Sequence, residues 1–369
     1  MNIDCKSPQT GNSLLIVGNG LDILHGMNTR WSDFQEWWGN RLNFSHSQYE
    51  AVGGPGVPEK NFLDDPNSPR SPWLNVIECL YRENSEKSLE RALYLHLNYL
   101  VTLKPGQNPK EQAKKNEGEG GGASFKEEKI TWSDFESMLE DLHLPEGVPD
   151  PDDAEDFEYA SLVENLAEQI EEVFHLSSRL EEWLKSSALA PQFNSKIEKI
   201  IGCNGYIVNF NYTPTVEHLY GAQSFHIHGS IDAGDSHEAQ HGDSVRELIV
   251  GFSSLDLEHG SHCNVGSATW EMLNNSYRDI FRKKLRVTEL QEYLDGVELR
   301  EITSVGFSYG PSDFQYVEEI VKRTSRESEW LIYYYSESDK CRARKSLAEA
   351  GYKGHSSFMD SKSLKFADE

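Results

Sequence analysis

The chain has 369 residues and carries 35 Lys and Arg against 61 Asp and Glu, a formal net charge of −26. That length accommodates one large α/β domain with an insertion, or two domains. The charge argues against broad adhesion to nucleic acid or an anionic membrane, both of which need clustered Lys and Arg. A small anionic ligand held by backbone amides remains compatible with it.

In chain order, residues 13–18 (Ser-Leu-Leu-Ile-Val-Gly) read as a short buried strand ending on glycine. Residues 72–100 and 161–187 have helical periodicity with mixed charge, and 104–129 is so rich in Gly, Lys and Glu that a disordered loop is expected. From Thr131 to Val173 there are 15 Asp and Glu and no Lys or Arg, leaving −11 on the other 326 residues. The acidity therefore belongs mostly to one segment, which includes an acidic connection at 146–158. Further strands are expected at 205–210, 224–227, 247–250, 301–305 and 330–335, and helices at 215–220, 268–283, 312–323 and 338–350. Apolar strands alternating with helices predict an α/β fold, a Rossmann-like parallel sheet covered on both faces. Its core is expected from residues 13–40 and 200–360. Residues 41–199 would form a large helical insertion between the first strand and the rest of the sheet.

The five Cys (5, 79, 203, 263 and 341) are scattered, with no C-x-x-C pair. Neither a disulfide framework nor a Cys-based zinc site is expected, and a reducing cytoplasm is. The apolar run Leu14–Val17 is too short for a signal-peptide core, and no run reaches the length of a membrane span. The Trp-rich stretch Trp31–Trp38 reads as core, with an interface as the other reading.

Four strand ends carry residues suited to chemistry. Gly18-Asn19-Gly20-Leu21-Asp22 follows the first strand. Glycines there allow either a tight strand-to-helix turn or close approach of a pyrophosphate to free amides. The G-x-G-x-x-G fingerprint fails, because the next glycine is Gly26. Asn209-Phe210-Asn211-Tyr212-Thr213-Pro214 leaves the second, with Thr213 a plausible N-cap before Pro214 at the first helical position.

His226 and His228, in Phe-His-Ile-His-Gly-Ser, fall on one face of a strand by period-2 alternation. They would be either a metal pair, with help from Asp232, His237, His241, His259 or His262, or a single catalytic His228 at a strand end. Gly306-Phe307-Ser308-Tyr309-Gly310-Pro311-Ser312-Asp313 ends a fourth strand. Its amides and Ser308 would meet a ribose or phosphate, and Ser312 or Asp313 would cap the next helix. Asp22 and Asp313 are candidates for hydrogen bonds to ribose or backbone, with capping as the plainer role. Ser336 sits in a further loop at the same sheet edge, the edge where ligands of parallel sheets bind.

Taken together, Gly-Asn-Gly-Leu-Asp with the following His25–Phe34, Trp132–Glu136, Asn209–Thr213, His226–Gly229 and Gly306–Asp313 resemble the bacterial AbiH family of phage abortive-infection proteins. More distantly, the same succession is similar to the NAD-binding core of sirtuins and sirtuin-like defence NADases. That resemblance implies Asn211 beside the nicotinamide ribose and His228 as the catalytic base. It implies Gly18, Asn19, Gly20, Gly306 and Ser308 as cofactor-binding residues, and Asp22, Tyr212, Asp313 and Ser336, at the same strand ends, are expected to join them. Thr213 stands where that family has aspartate, and the four-Cys zinc ribbon of the deacetylases is missing. The implied activity is NAD hydrolysis to nicotinamide and ADP-ribose, with NAD as substrate and no metal. Nucleic acid and membrane are not expected as partners. An uncontrolled NADase would kill its host, so restraint by homo-oligomerisation, a regulatory partner protein or the insertion is expected. The rival readings are a sensor or scaffold that binds NAD or ADP-ribose without turnover, and a metal-dependent phosphoesterase or nuclease built on the histidine cluster.

Overall fold

The computed structural model describes residues 11–42, 132, 135–136, 176–186, 191–231, 248–251 and 285–365. The expected helices at 72–100 and 268–283, the loop at 104–129, the acidic connection, residues 161–175 and Asp232 lie outside the described residues, as do His237, His241, His259 and His262. Contacts divide the chain into two compact units, one of residues 1–33, 177–253 and 283–369, the other of 34–176 and 254–282.

The first unit is built on six strands: β1 (Ser13–Val17), β2 (Tyr206–Asn209), β3 (Phe225–His226), β4 (Leu299–Val305), β5 (Thr324–Tyr334) and β6 (His355–Asp360). Every pairing is parallel and the order is β3-β2-β1-β4-β5-β6. This is the strand order of dinucleotide-binding Rossmann sheets, in which the direction of winding reverses beside the first strand. All five residues of β1 are buried, as a central strand covered on both faces requires.

The helices are α1 (Asn19–Leu24), α2 (Trp31–Arg41), α3 (Leu176–Ser186), α4 (Ser195–Gly202), α5 (Thr215–Tyr220), α6 (Val287–Tyr293), α7 (Phe314–Val321) and α8 (Glu337–Glu349). Alternate residues of β1 serve opposite layers. Leu14 and Ile16 pack with Leu290 of α6, Tyr316, Val317 and Ile320 of α7, and Leu347 of α8. Leu15 and Val17 pack with Leu21 of α1, Ile197, Ile200 and Ile201 of α4, and Val216 of α5. The chain therefore turns to one face after β1 and β2, and to the other after β4 and β5. The register sets Val17 level with both Asn209 and Val305, so the loops after β1, β2 and β4 leave the sheet side by side.

Several sequence expectations change. β5 begins at Thr324, through the polar run Ser-Arg-Glu-Ser-Glu, with a register shift against β4 between Leu299 and Glu301. β6 was not expected, because an edge strand reading His-Ser-Ser-Phe-Met-Asp has no apolar run. Residues 248–250 are not a strand; Ile249 N–H donates to the His228 carbonyl in an isolated bond. Pro214, not Thr213, is the N-cap of α5, and no side chain caps that helix. Cys203 is disulfide-bonded, contrary to the expectation from scattered cysteines, and Cys341 is free. Among the described residues, no helix is long and apolar enough to cross a membrane.

In the second unit, Phe34 packs against Trp37, Trp38 and Trp132 at ring-centroid distances of 6.0, 5.5 and 5.7 Å, and Trp132 meets Phe135 edge-on. Phe34, Trp38 and Phe135 are fully buried, so these aromatics are core. The two Trp-Ser-Asp-Phe tetrapeptides, 31–34 and 132–135, meet in this cluster through Phe34 and Trp132.

Candidate functional site

The loops after β1 and β4 touch backbone to backbone. Gly18 N–H donates to the Val305 carbonyl (3.1 Å) and Gly20 N–H to the Gly306 carbonyl (3.0 Å). A Cβ on Gly306, which has φ +66°, would lie 2.4 Å from the backbone of Gly20 and Leu21. Two glycines in the Gly-Asn-Gly turn and Gly306 thus serve first to let two loops meet, and the amides of Gly18 and Gly20 are committed to that contact. Tyr309 takes the left-handed conformation (φ 54°) and turns its buried hydroxyl back to Ser304 Oγ at 2.7 Å. Burial pushes that phenol well above its ordinary value.

Asp22 lies inside α1 and is 1% exposed. Its Oδ2 accepts from Thr213 Oγ1 (2.6 Å), and its Oδ1 from Thr215 Oγ1 (2.8 Å) and Asn211 Nδ2 (3.4 Å). Burial raises its pKa to about 6, against the opposing pull of the two threonine hydroxyls and His226. Capping, the plainer role foreseen for Asp22, is not what it does. The same bonds explain why Thr213 is not a cap: its hydroxyl is spent on Asp22.

Asn211 is held on both sides of its backbone. Its N–H donates to Asn209 Oδ1 (2.9 Å), and its carbonyl faces His226 Nδ1 (2.9 Å). The other nitrogen of His226 faces Glu217 Oε1 at 3.3 Å, and that oxygen also accepts from Ser224 Oγ. Burial alone would raise the Glu217 carboxyl, but the His226 and Ser224 hydrogen bonds outweigh it and hold Glu217 below its ordinary value. Both ring nitrogens of His226 thus face acceptors.

His228 has different partners. β3 ends at His226, so the period-2 alternation does not reach His228, and the two histidines do not form a pair on one face. His228 Nε2 lies 3.1 Å from Asp313 Oδ1, both side chains being almost fully buried. The ring packs against Phe210, Tyr212 and Tyr316. Asp313, at the start of α7, makes no capping bond and turns its carboxylate to His228 instead. An ionised carboxylate only accepts, so Nε2 donates to it, and in the neutral ring Nδ1 is then the accepting nitrogen. Two buried acceptors here, His228 Nδ1 and Asn211 Oδ1, have no hydrogen-bond partner among the described residues, and neither does the Ser230 hydroxyl.

The structure therefore brings Gly18, Gly20, Asp22, Asn211 and Gly306 into one chain of contacts, and joins His228 to Asp313 and Tyr212. Tyr212 also donates from its hydroxyl to the Ile249 carbonyl (3.2 Å). Asn19 is the first residue of α1 and is half-buried, and Ser308 is half-buried between the buried Phe307 and Tyr309. Ser336 falls outside this set. It caps α8, accepting from Asp339 N–H (3.1 Å) while Asp339 Oδ2 accepts from the Ser336 N–H and hydroxyl (both 2.9 Å). Ser336→Ala is expected to lower stability by about 1 kcal/mol, the usual worth of such a cap, as read from a urea unfolding midpoint. Thr215, Glu217 and Ser230 were not foreseen. Thr213 and Thr215, at period-2 spacing just past a strand end, were the available signal. Among the described residues, no group of three or more His, Cys, Asp and Glu is placed to hold a metal ion.

A family model described as "Bacteriophage abortive infection AbiH" matches residues 14–334, well over half of the chain. No curated protein and no solved structure matches it.

Proposed function

The chain belongs to the AbiH family of bacteriophage abortive infection, and from that premise we propose that it acts there as an NAD hydrolase, releasing nicotinamide and ADP-ribose. The observation that carries the reading is His228, buried at the carboxyl end of a sheet with dinucleotide-binding strand order. Its Nε2 is tied to Asp313 and its Nδ1 is unpaired.

Cleaving the N-glycosidic bond builds positive charge on the ribose while nicotinamide leaves as a neutral group. Water then forms the new C–O bond at the anomeric carbon and gives up a proton. His228 Nδ1, kept in the accepting tautomer by Asp313, takes that proton. Asn211 Oδ1 accepts from a ribose hydroxyl or from the attacking water and so fixes its direction. The half-buried Ser308 and Asn19 flank the contact of the β1 and β4 loops, where the rest of a dinucleotide would lie.

Purified protein incubated with NAD and followed by mass spectrometry is expected to yield nicotinamide and ADP-ribose in equal amounts. No product, with or without phage lysate, would sink the reading. Intact NAD retained by the protein would point instead to a binding sensor.

A further inference from the structure

Asn211 has one freedom left. With its N–H and its carbonyl both bound, only the side-chain amide can still turn over, exchanging the places of its NH2 and its Oδ1. We propose that Asp22 is a positioning residue that holds this amide in one orientation, NH2 inward and Oδ1 toward the ligand. The identity of that ligand rests on the hydrolase reading; the orientation of the amide does not.

Both oxygens of Asp22 are taken by donors of the protein, which leaves neither for a substrate. An ionised carboxylate accepts only, so the edge of the Asn211 amide that faces it must be the NH2 edge. The two threonine hydroxyls donate to the same carboxylate and favour its ionised form against the opposing effect of burial. The result is an Asn211 Oδ1 that is buried and unpartnered, a costly state unless a ligand donor completes it. The carboxylate is itself costly, since burial raises its pKa to about 6 in spite of three donors. Keeping Asp22 ionised costs the folded state stability, as strongly perturbed groups at functional sites do. The resemblance to sirtuins left Thr213 where an aspartate was expected. Here a carboxylate reaches Asn211 and Thr213 from Asp22, on the helix that follows another strand.

Asp22→Asn keeps the shape but turns one oxygen into a donor, which lets the Asn211 amide turn over and point its Oδ1 at residue 22. In this variant kcat is expected to fall about tenfold or more, the worth of a charge-assisted hydrogen bond, with KM changed less than about twofold. The thermal midpoint at pH 7 is expected to stay level or rise. The wild-type protein gives up stability as pH rises from the ordinary 3.8 through about 6, so the variant's advantage shrinks as pH falls through that range. Of the charged groups acting on Asp22, His226 favours its ionised form and Glu217 opposes it.

A second measurement does not depend on turnover. In 15N-asparagine-labelled protein, the Asn211 NH2 signal, assigned by its loss in Asn211→Asp, is expected to exchange slowly with solvent and to lose that protection in Asp22→Asn. Wild-type kcat in Asp22→Asn, or a lowered midpoint that accounts for the lost activity, overturns the proposal. So does an NH2 that stays protected. If the wild-type protein releases no nicotinamide, the hydrolase reading fails alone, and NH2 protection decides: its loss supports the positioning role and its retention overturns it.

Discussion

His228→Ala is expected to lower NAD turnover by about 10²–10⁴-fold, the usual effect of removing a general base. The ring is clamped by Phe210, Tyr212 and Tyr316, and its Nε2 by Asp313, so only Nδ1 can receive a proton. His228→Gln, which keeps more of the bulk among those rings, is expected to lose as much turnover while staying folded by circular dichroism. Asp313→Ala frees the tautomer and lets the ring turn; a loss smaller than that of His228→Ala is expected, because a neutral imidazole remains. The check is the initial rate of nicotinamide release. A His228→Gln protein that turned over NAD at the wild-type rate would remove His228 from the mechanism.

The second large effect concerns stability. Gly306→Ala places a Cβ 2.4 Å from the backbone of Gly20 and Leu21, at φ +66°. Neither neighbour is the end of a flexible side chain, so β1 and β4 must part or their loops must unwind. We expect a loss on the order of 3 kcal/mol or more, combining the left-handed strain with a backbone clash. Gly26→Ala provides the contrast. Gly26 also has positive φ, +78°, but a Cβ there meets nothing within 4 Å. It should cost only about 1 kcal/mol, the strain alone. Urea midpoints of the two variants separate the terms; equal losses would show that close approach is not what requires glycine at 306.

The loops after β1 and β4 diverge to opposite layers of the sheet, and the glycine contact holds them together at the point where they part. Asp22 enters from one side of that point and Asp313 from the other.

Much of this was legible in the chain. β1, β2, β4 and α8 fall close to where apolar runs, glycines and helical periodicity put them, because those signals are local. The six-stranded order and β6 were not legible, since an edge strand half open to water needs no apolar run. The helix caps were misassigned for one reason: Thr213, Asp22 and Asp313 all sit near helix starts, where capping is the nearest use for a short polar side chain, and each has a partner distant in the sequence instead. Ser336, expected in a loop at the binding edge, instead caps α8 through Asp339 three residues away.

By itself, the sequence determined the α/β class, the parallel sheet, the glycine turns at the strand ends and the types of residue placed there. These depend on periodicity and backbone freedom within a few residues. Tertiary structure alone decided which of those residues work together. Asp22 meets Asn211, Thr213 and Thr215 across 189 to 193 residues, and His228 meets Asp313 across 85. Hydrogen bonds over such separations are set by the register of β1 against β2 and β4, and a shift of one residue would turn each side chain to the other layer.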